Sequence, residues 1–221
     1  MERGLKYIAV EGPICVGKTA LAELLARRLQ ARLVKEAIEE NPFLEKFYRD
    51  SRSFAFQTQL FFLLTRHRQL RELSQVEMVL VDGALVPGGV VSDYLFDKDR
   101  IYATLNLTEN ELALYYRIYD LLKGDIPKPD IVVYLQAQVE VLLARIRQRG
   151  RHFDADIDPE YVKSLANLYN SFFFHYEDAP VLIVNTDRLD FIGEDDDFEE
   201  LFRAMLQHHS GRKFYSPRRR R

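Results

Sequence analysis

Gly12-Pro13-Ile14-Cys15-Val16-Gly17-Lys18-Thr19 follows a short β-rich run, Lys6-Tyr7-Ile8-Ala9-Val10, and precedes a segment with Leu21, Leu24, Leu25 and Leu29 at helical spacing. The octapeptide fits GxxxxGK[ST] at every required position, and a strand before it with a helix after it is the context that gives the pattern meaning. Its glycines let backbone N–H groups turn inward around phosphate oxygens, and the following helix directs the positive end of its dipole at the same anion. In such a loop Lys18 neutralises the β- and γ-phosphates and the Thr19 hydroxyl ligates Mg²⁺. The stretch predicts a site for a nucleoside triphosphate.

Outward from this loop, strand and helix patterns alternate. Arg32-Leu33-Val34-Lys35 is a second short strand, Phe43 to Phe47 a helical stub, and Ser53 to Leu73 a long helix. Gly89-Val90-Val91-Ser92-Asp93 reads as the third strand, with Val79-Leu80-Val81-Asp82 a competitor and Gly83 to Gly88 a turn-rich loop between them. Glu109 to Leu122 is a helix stopped by Gly124 and Pro127. Asp130-Ile131-Val132-Val133-Tyr134-Leu135 is a buried strand; helices at Gln138 to Gln148 and Pro159 to Tyr176 follow, then a fifth strand at Val181 to Asn185 and a last helix at Phe198 to His208. This order implies βαβ units in a three-layer α/β domain around a five-stranded parallel sheet.

Composition excludes several other classes. The 221 residues are 47% hydrophobic and 29% charged, the balance of a soluble globular domain rather than a disordered chain. A single cysteine forms no internal disulfide and leaves no CxxC for zinc, which argues against an oxidising compartment. The opening residues Met1 to Lys6 lack the apolar centre of a signal peptide, and no apolar run approaches the ~20 residues of a membrane span. These features predict a cytoplasmic protein with no membrane partner. The formal net charge of −3 conceals an asymmetry, because Arg212, Lys213 and Arg218 to Arg221 are all basic and leave −9 on residues 1–211. Residues 1–211 are therefore expected to form one domain and 212–221 a basic, frayed tail. No basic patch with interleaved aromatics points to nucleic acid.

Three further stretches bear on function: Lys35-Glu36-Ala37-Ile38-Glu39-Glu40-Asn41-Pro42-Phe43, Phe54-Ala55-Phe56-Gln57-Thr58-Gln59, and Arg145-Ile146-Arg147-Gln148-Arg149-Gly150-Arg151. Together with the phosphate loop and Ser92 to Arg100, they resemble the deoxyribonucleoside kinase family, most closely its bacterial deoxyadenosine/deoxyguanosine kinase branch. The likeness runs from about Lys6 to Asn185 in the family's motif order. It implies a P-loop NTPase fold with an arginine-rich lid, a homodimer, ATP and Mg²⁺, and transfer of the ATP γ-phosphate to the 5′-hydroxyl of a deoxyribonucleoside, deoxyadenosine or deoxyguanosine above all.

Glu36 ends the second strand, on the edge where parallel sheets place ligands, and a carboxylate there can orient and deprotonate a hydroxyl. The resemblance assigns it the role of general base; Glu39 and Glu40 stand close enough in sequence to compete. Gln59 and Arg66 are seven residues apart on one helix and share a face, whereas Gln57 points away at ~200°. A glutamine offers donor and acceptor together, which suits a base edge. By resemblance Gln59 reads the base, Tyr48 binds the sugar 3′-hydroxyl, Asp154 contacts the sugar, and Arg66 pairs with Asp99. That charged pair accompanies purine or deoxycytidine substrates in the family and argues against thymidine. Tyr102 either stacks on the base or belongs to the core. Arg145, Arg149 and Arg151 are spaced to clamp phosphates, the expected device for a reaction catalysed by positioning and charge neutralisation.

Two positions depart from the family's pattern. Many members carry Glu/Asp-Arg-Ser after the third strand, the arginine touching substrate and phosphate; here the residues are Asp93-Tyr94-Leu95. Asp93 remains a candidate for holding Mg²⁺ through water, and either Arg100 or a lid arginine replaces the missing one, or activity is reduced. Cys15 stands where glycine or alanine is usual, as either a tolerated small residue or an oxidation-sensitive thiol near Lys18. Two rivals share the loop: a nucleoside monophosphate kinase of the thymidylate type, which needs an arginine cluster that the helix around Arg66 does not supply, and a non-catalytic nucleotide-binding family member. The Phe-rich face of Phe54, Phe61 and Phe62 is either a dimer interface or core.

Overall fold

Every residue of the first strand, β1 (Tyr7–Glu11), is buried, as happens when both faces of a strand are covered. The computed structural model describes residues 5–74, 78–81, 84–150 and 157–216. After β1 the chain runs through α1 (Lys18–Leu29), β2 (Arg32–Val34), α2 (Leu44–Arg49), α3 (Ser51–Arg71), β3 (Met78–Val81), β4 (Ala84–Pro87) and β5 (Val90–Ser92). It continues with α4 (Lys98–Asn106), α5 (Glu109–Leu122), β6 (Ile131–Gln136), α6 (Val139–Arg149), α7 (Pro159–His175), β7 (Val181–Asn185), α8 (Asp195–Leu206) and β8 (Arg212–Tyr215). Among the described residues no helix is long and apolar enough to cross a membrane.

Side-chain alternation sorts the core into two layers around the sheet. Ile8 and Val10 of β1, with Ile131, Val133 and Leu135 of β6, face Leu21 and Leu25 of α1, Leu142 of α6, and Leu201 and Met205 of α8. Tyr7 and Ala9, with Val132 and Tyr134, face the other way onto Leu63 of α3, Ile101 of α4, Tyr115 of α5, and Tyr169 and Phe173 of α7. Rings dominate this second layer, with Tyr134 and Phe173 stacked at 4.1 Å between centroids.

Six strands, not the expected five, form the parallel sheet, in the order β2-β5-β1-β6-β7-β8. The addition is β8: the chain from Arg212, expected to fray, pairs with β7 from Val181↔Arg212 to Val184↔Tyr215. Its Arg212, Lys213 and Phe214 side chains are exposed, so this edge strand presents charge to solvent and reads in sequence like a tail. The competing strand at Val79 is real too, but lies outside the main sheet. β3 pairs antiparallel with β4 from Met78↔Pro87 to Val81↔Ala84, a hairpin where a loop was expected. Helix α4, which follows Asp97, is absent from the sequence-based layout.

Gly12 is where the phosphate loop presses hardest on the sheet. Its φ is +153°, and a Cβ there would lie 2.5 Å from the Leu135 carbonyl oxygen and 2.8 Å from Val16 Cγ1. Neither a central strand nor a buried valine yields easily, so Gly12→Ala is expected to destabilise the protein by about 3 kcal/mol. Denaturant titration measures this, and an unchanged midpoint would contradict the packing described here.

Candidate active site

From β1 the chain departs toward β2, whereas from β5 it later crosses to β6 on the opposite side of β1. Such a reversal opens a crevice at the carboxyl ends of the strands, where ligands of open α/β sheets bind. The crevice here is a cavity of about 1010 Å³, bounded by Ile14–Ala20 of the loop and, opposite, by Gln59, Phe62 and Arg66 of α3.

Within the loop, Lys18 Nζ donates to the carbonyl oxygens of Gly12 (2.7 Å) and Pro13 (3.0 Å), which folds the ammonium back over the loop's first turn. Burial, reinforced by the nearby Lys98 ammonium, lowers its pKa to about 8 against the pull of Glu11, Glu36 and Asp93. An anion in the loop would relieve that burial cost. Cys15 takes a left-handed backbone, φ 59°, at a half-buried position on the cavity wall. Val16 is buried in the core beneath the loop.

A chain of polar contacts leads from the loop to the far wall. The Thr19 hydroxyl donates to Asp93 Oδ2 (2.7 Å), and the Glu36 backbone N–H donates to Asp93 Oδ1 (2.7 Å). Asp93 thus ties the first turn of α1 to the segment after β2. The Glu36 side chain is buried; Arg66 Nη2 donates to its Oε1 and Lys98 Nζ to its Oε2 (2.7 Å). Burial alone would raise its pKa, but Arg66 and Lys98 overcome that and hold the carboxyl well below the usual carboxylate range. Arg66 donates from its other nitrogen, Nη1, to fully buried Asp99 and lies over the rings of Phe62 (4.8 Å) and Tyr94 (5.8 Å). Burial opposes its charge, yet the two carboxylates keep its pKa raised. Glu39 and Glu40 do not line the cavity, so Glu36 is the glutamate of that segment facing it.

Around the same cavity stand the residues expected at a nucleoside. Gln59 is buried and faces inward while Gln57 is exposed, as the helical phase predicts. Tyr48 and Tyr102 are half-buried on the wall. Tyr102 meets Tyr169 edge-on at 6.2 Å, so it serves the cavity lining and the aromatic layer together. Phe62, one of the Phe-rich face, lines the cavity as well.

The arginines divide. Arg145 lines the cavity and is also tied to structure: it donates to the Val16 carbonyl (3.2 Å), the Thr186 hydroxyl (3.1 Å) and the Thr186 carbonyl (2.7 Å), which braces the phosphate loop against the end of β7. Arg149 lines the cavity one turn later, while Arg151 and Asp154 lie outside the described residues. Arg100 stands away from the cavity, over the rings of Tyr116 (5.7 Å) and Tyr119 (5.8 Å), so it does not replace the arginine absent after Asp93.

Three features escape the sequence reading. Lys98, at the start of α4, is buried against Glu36. Glu11, just before the loop, is fully buried and accepts from the Gly12 N–H (2.8 Å), the Leu95 N–H (2.7 Å) and the Tyr169 hydroxyl (3.1 Å). Burial raises its pKa, although Lys98 and Lys18 act against the rise. Asp187 to Gly193 close the cavity beside the loop, where Phe191 would meet a Cβ on Gly17 at 3.0 Å. An acid at the end of a buried strand, as at Glu11, is the one sequence signal among these.

A phosphate loop beneath a crevice of paired acids and bases, on this strand order, defines a P-loop NTPase built for phosphoryl transfer. A family model described as "Deoxynucleoside kinase" matches residues 8–209, and the chain belongs to that family. It is an ATP-dependent deoxynucleoside kinase. Deoxyguanosine kinase of Bacillus subtilis (strain 168) is 36% identical over 200 residues, covering 88% of this chain and 93% of that one. Deoxyadenosine/deoxycytidine kinase of the same strain is 26% identical over 202 residues, 88% of either chain. Among solved structures, deoxyadenosine kinase from M. mycoides with products dCMP and a flexible dCDP bound superposes with a TM-score of 0.76 at 25% identity, over 90% of this chain and 97% of that one.

Proposed function

We propose that this kinase phosphorylates the 5′-hydroxyl of a purine deoxynucleoside, deoxyguanosine or deoxyadenosine, with Glu36 as general base. The observation that carries the reading is the placement of Glu36: buried, on the cavity wall, and joined through Asp93 to Thr19 of the phosphate loop. A hydroxyl held there would face the γ-phosphate with a carboxylate at hand for its proton. Gln59 offers a donor and an acceptor to the base edge, and Arg66 with Asp99 sets a charged boundary beyond it. Tyr48 and Tyr102 flank the sugar and base. The relatives named as deoxyguanosine and deoxyadenosine kinases support a purine. Thr19 and Asp93, a hydroxyl and a carboxylate side by side, offer the hard oxygen ligands that Mg²⁺ prefers, and the ion would neutralise charge on the β- and γ-phosphates. Arg149 and, beyond it, Arg151 would close over those phosphates. A homodimer in the cytoplasm, serving nucleoside salvage, completes the reading; Leu64, Leu114 and Leu121 on α3 and α5 are among the exposed apolar residues available to a second copy.

Transfer from γ-labelled ATP to a panel of deoxynucleosides and their 5′-monophosphates tests this. Label is expected on deoxyguanosine or deoxyadenosine, to disappear with a chelator, and to return with added Mg²⁺. Label confined to the monophosphates would replace this reading with a monophosphate kinase.

A further inference from the structure

The residues after β5 carry no arginine beside Asp93, and Arg149, which lines the same cavity, is exposed at the C-terminal end of α6. Tyr94 fills the position next to Asp93, but its ring is fully buried against Arg66 and its hydroxyl donates to Gln69 Oε1 (2.8 Å), away from the phosphate loop. Arg100 is turned to the rings of α5, and Arg145 is held by the Val16 and Thr186 carbonyls. Arg66 is fixed by two carboxylates and two rings. Among the described residues, a further buried cation lines the cavity beside Glu36. Lys98 is 4% exposed, its ammonium lies 2.7 Å from Glu36 Oε2 and 5.4 Å from the centroid of the Tyr102 ring, and it is near enough to Lys18 for the two charges to repel.

A buried ammonium here costs stability that nearby carboxylates must offset; Glu36 touches it, and Glu11 and Asp99 also feel its charge. Its position gives it a use. When the γ-phosphate enters between Lys18 and Glu36, two anionic groups face each other across the attacking oxygen. A cation between them stabilises charge on the phosphoryl oxygens and needs no reorganisation beyond a few rotatable bonds of the lysine stem.

We propose that Lys98 is a catalytic residue of this kinase, whose ammonium holds Glu36 and contacts the γ-phosphoryl group as it is transferred, in place of the arginine that Asp93-Tyr94-Leu95 lacks. In that step the nucleoside 5′-oxygen forms a bond to the γ-phosphorus. The bond from that phosphorus to the β–γ bridging oxygen breaks, its electron pair leaving with ADP, and the hydroxyl proton passes to Glu36. Lys98 keeps its protons throughout and supplies charge alone. The inference rests on the assignment of Glu36 as base.

The test compares Lys98→Met, Lys98→Arg and Glu36→Gln in the full chain, by kcat, by equilibrium binding of ATP and of deoxyguanosine or deoxyadenosine, and by melting temperature. Lys98→Met is expected to lose about 100-fold or more in kcat, the scale of one removed transition-state donor, with both dissociation constants within about threefold. Lys98→Arg, which keeps the charge, is expected to turn over at least about tenfold faster than Lys98→Met. A kcat for Lys98→Met within about fivefold of wild type would overturn the proposal, as would an arginine variant no faster than the methionine one. Should Lys98→Met fail to fold, Lys98→Arg decides: turnover above about 10% of wild type supports a charge-supplying role, and anything lower overturns it. An active Glu36→Gln would remove the assignment beneath the inference, whereas a silent Lys98→Met beside an inactive Glu36→Gln removes the inference alone.

Discussion

Glu36→Gln is expected to bind ATP and deoxynucleoside much as the wild-type chain does and to lose more than ~100-fold in kcat, the scale of removed general-base catalysis. Glutamine keeps the shape and leaves an oxygen for one of the two cations, so the cavity should stay formed. Asp99 still pairs with Arg66 in the variant, which keeps that guanidinium compensated. What the substitution removes is the carboxylate proposed to take the hydroxyl proton. Steady-state kinetics with separate binding measurements will tell the two effects apart, and near-wild-type turnover would refute the assignment. A KM change with kcat preserved would instead make Glu36 a substrate-binding residue.

The second large effect is on stability. Arg66→Leu removes the only guanidinium on fully buried Asp99 among the described residues and half of the charge held against Glu36. Breaking a buried pair from one side leaves an uncompensated charge, so the loss should reach about 3–5 kcal/mol. Asp99 Oδ2 already has no hydrogen-bond partner, which leaves the carboxylate little to fall back on. Arg66→Leu combined with Asp99→Asn should recover part of that loss, because the stranded charge goes with its partner. A double-mutant cycle by denaturant unfolding measures the coupling; additive single effects would show that the pair does not act as a unit.

The candidate site was legible in sequence where chemistry and period coincide. Gly12 to Thr19 combines a spacing with a strand–helix context, and Gln59 and Arg66 share a face because seven residues make two turns. Other parts lacked such a signal. Arg212 to Tyr215 is an edge strand whose pattern is basic on the surface, so only its pairing with β7 distinguishes it from a tail. Ala84 to Pro87 falls in a stretch whose glycines and proline read as a loop, so its pairing with β3 had no signal in that reading. Lys98 is the clearest failure. A lysine at the start of a helix ordinarily belongs to the surface, and its burial arises from Glu36, sixty-two residues away in sequence, brought close by the β2–β5 pairing. Glu11 gives a partial signal, an acid closing a buried strand, but not that its carboxylate accepts from both the loop and the residues leading into α4. Arg145, of the right type and spacing, lines the cavity as expected and also braces the loop, which spacing alone does not reveal.

The central claim is that Glu36 receives the 5′-hydroxyl of the nucleoside opposite the phosphate loop. A crystal structure with deoxyguanosine or deoxyadenosine and a non-hydrolysable ATP analogue tests it most directly. The 5′-oxygen is expected at hydrogen-bond distance from Glu36, about 2.6–3.2 Å, with the base edge at Gln59 and the triphosphate over Lys18. A 5′-oxygen turned to another carboxylate, or a nucleoside seated outside the Gln59–Arg66 wall, would contradict it.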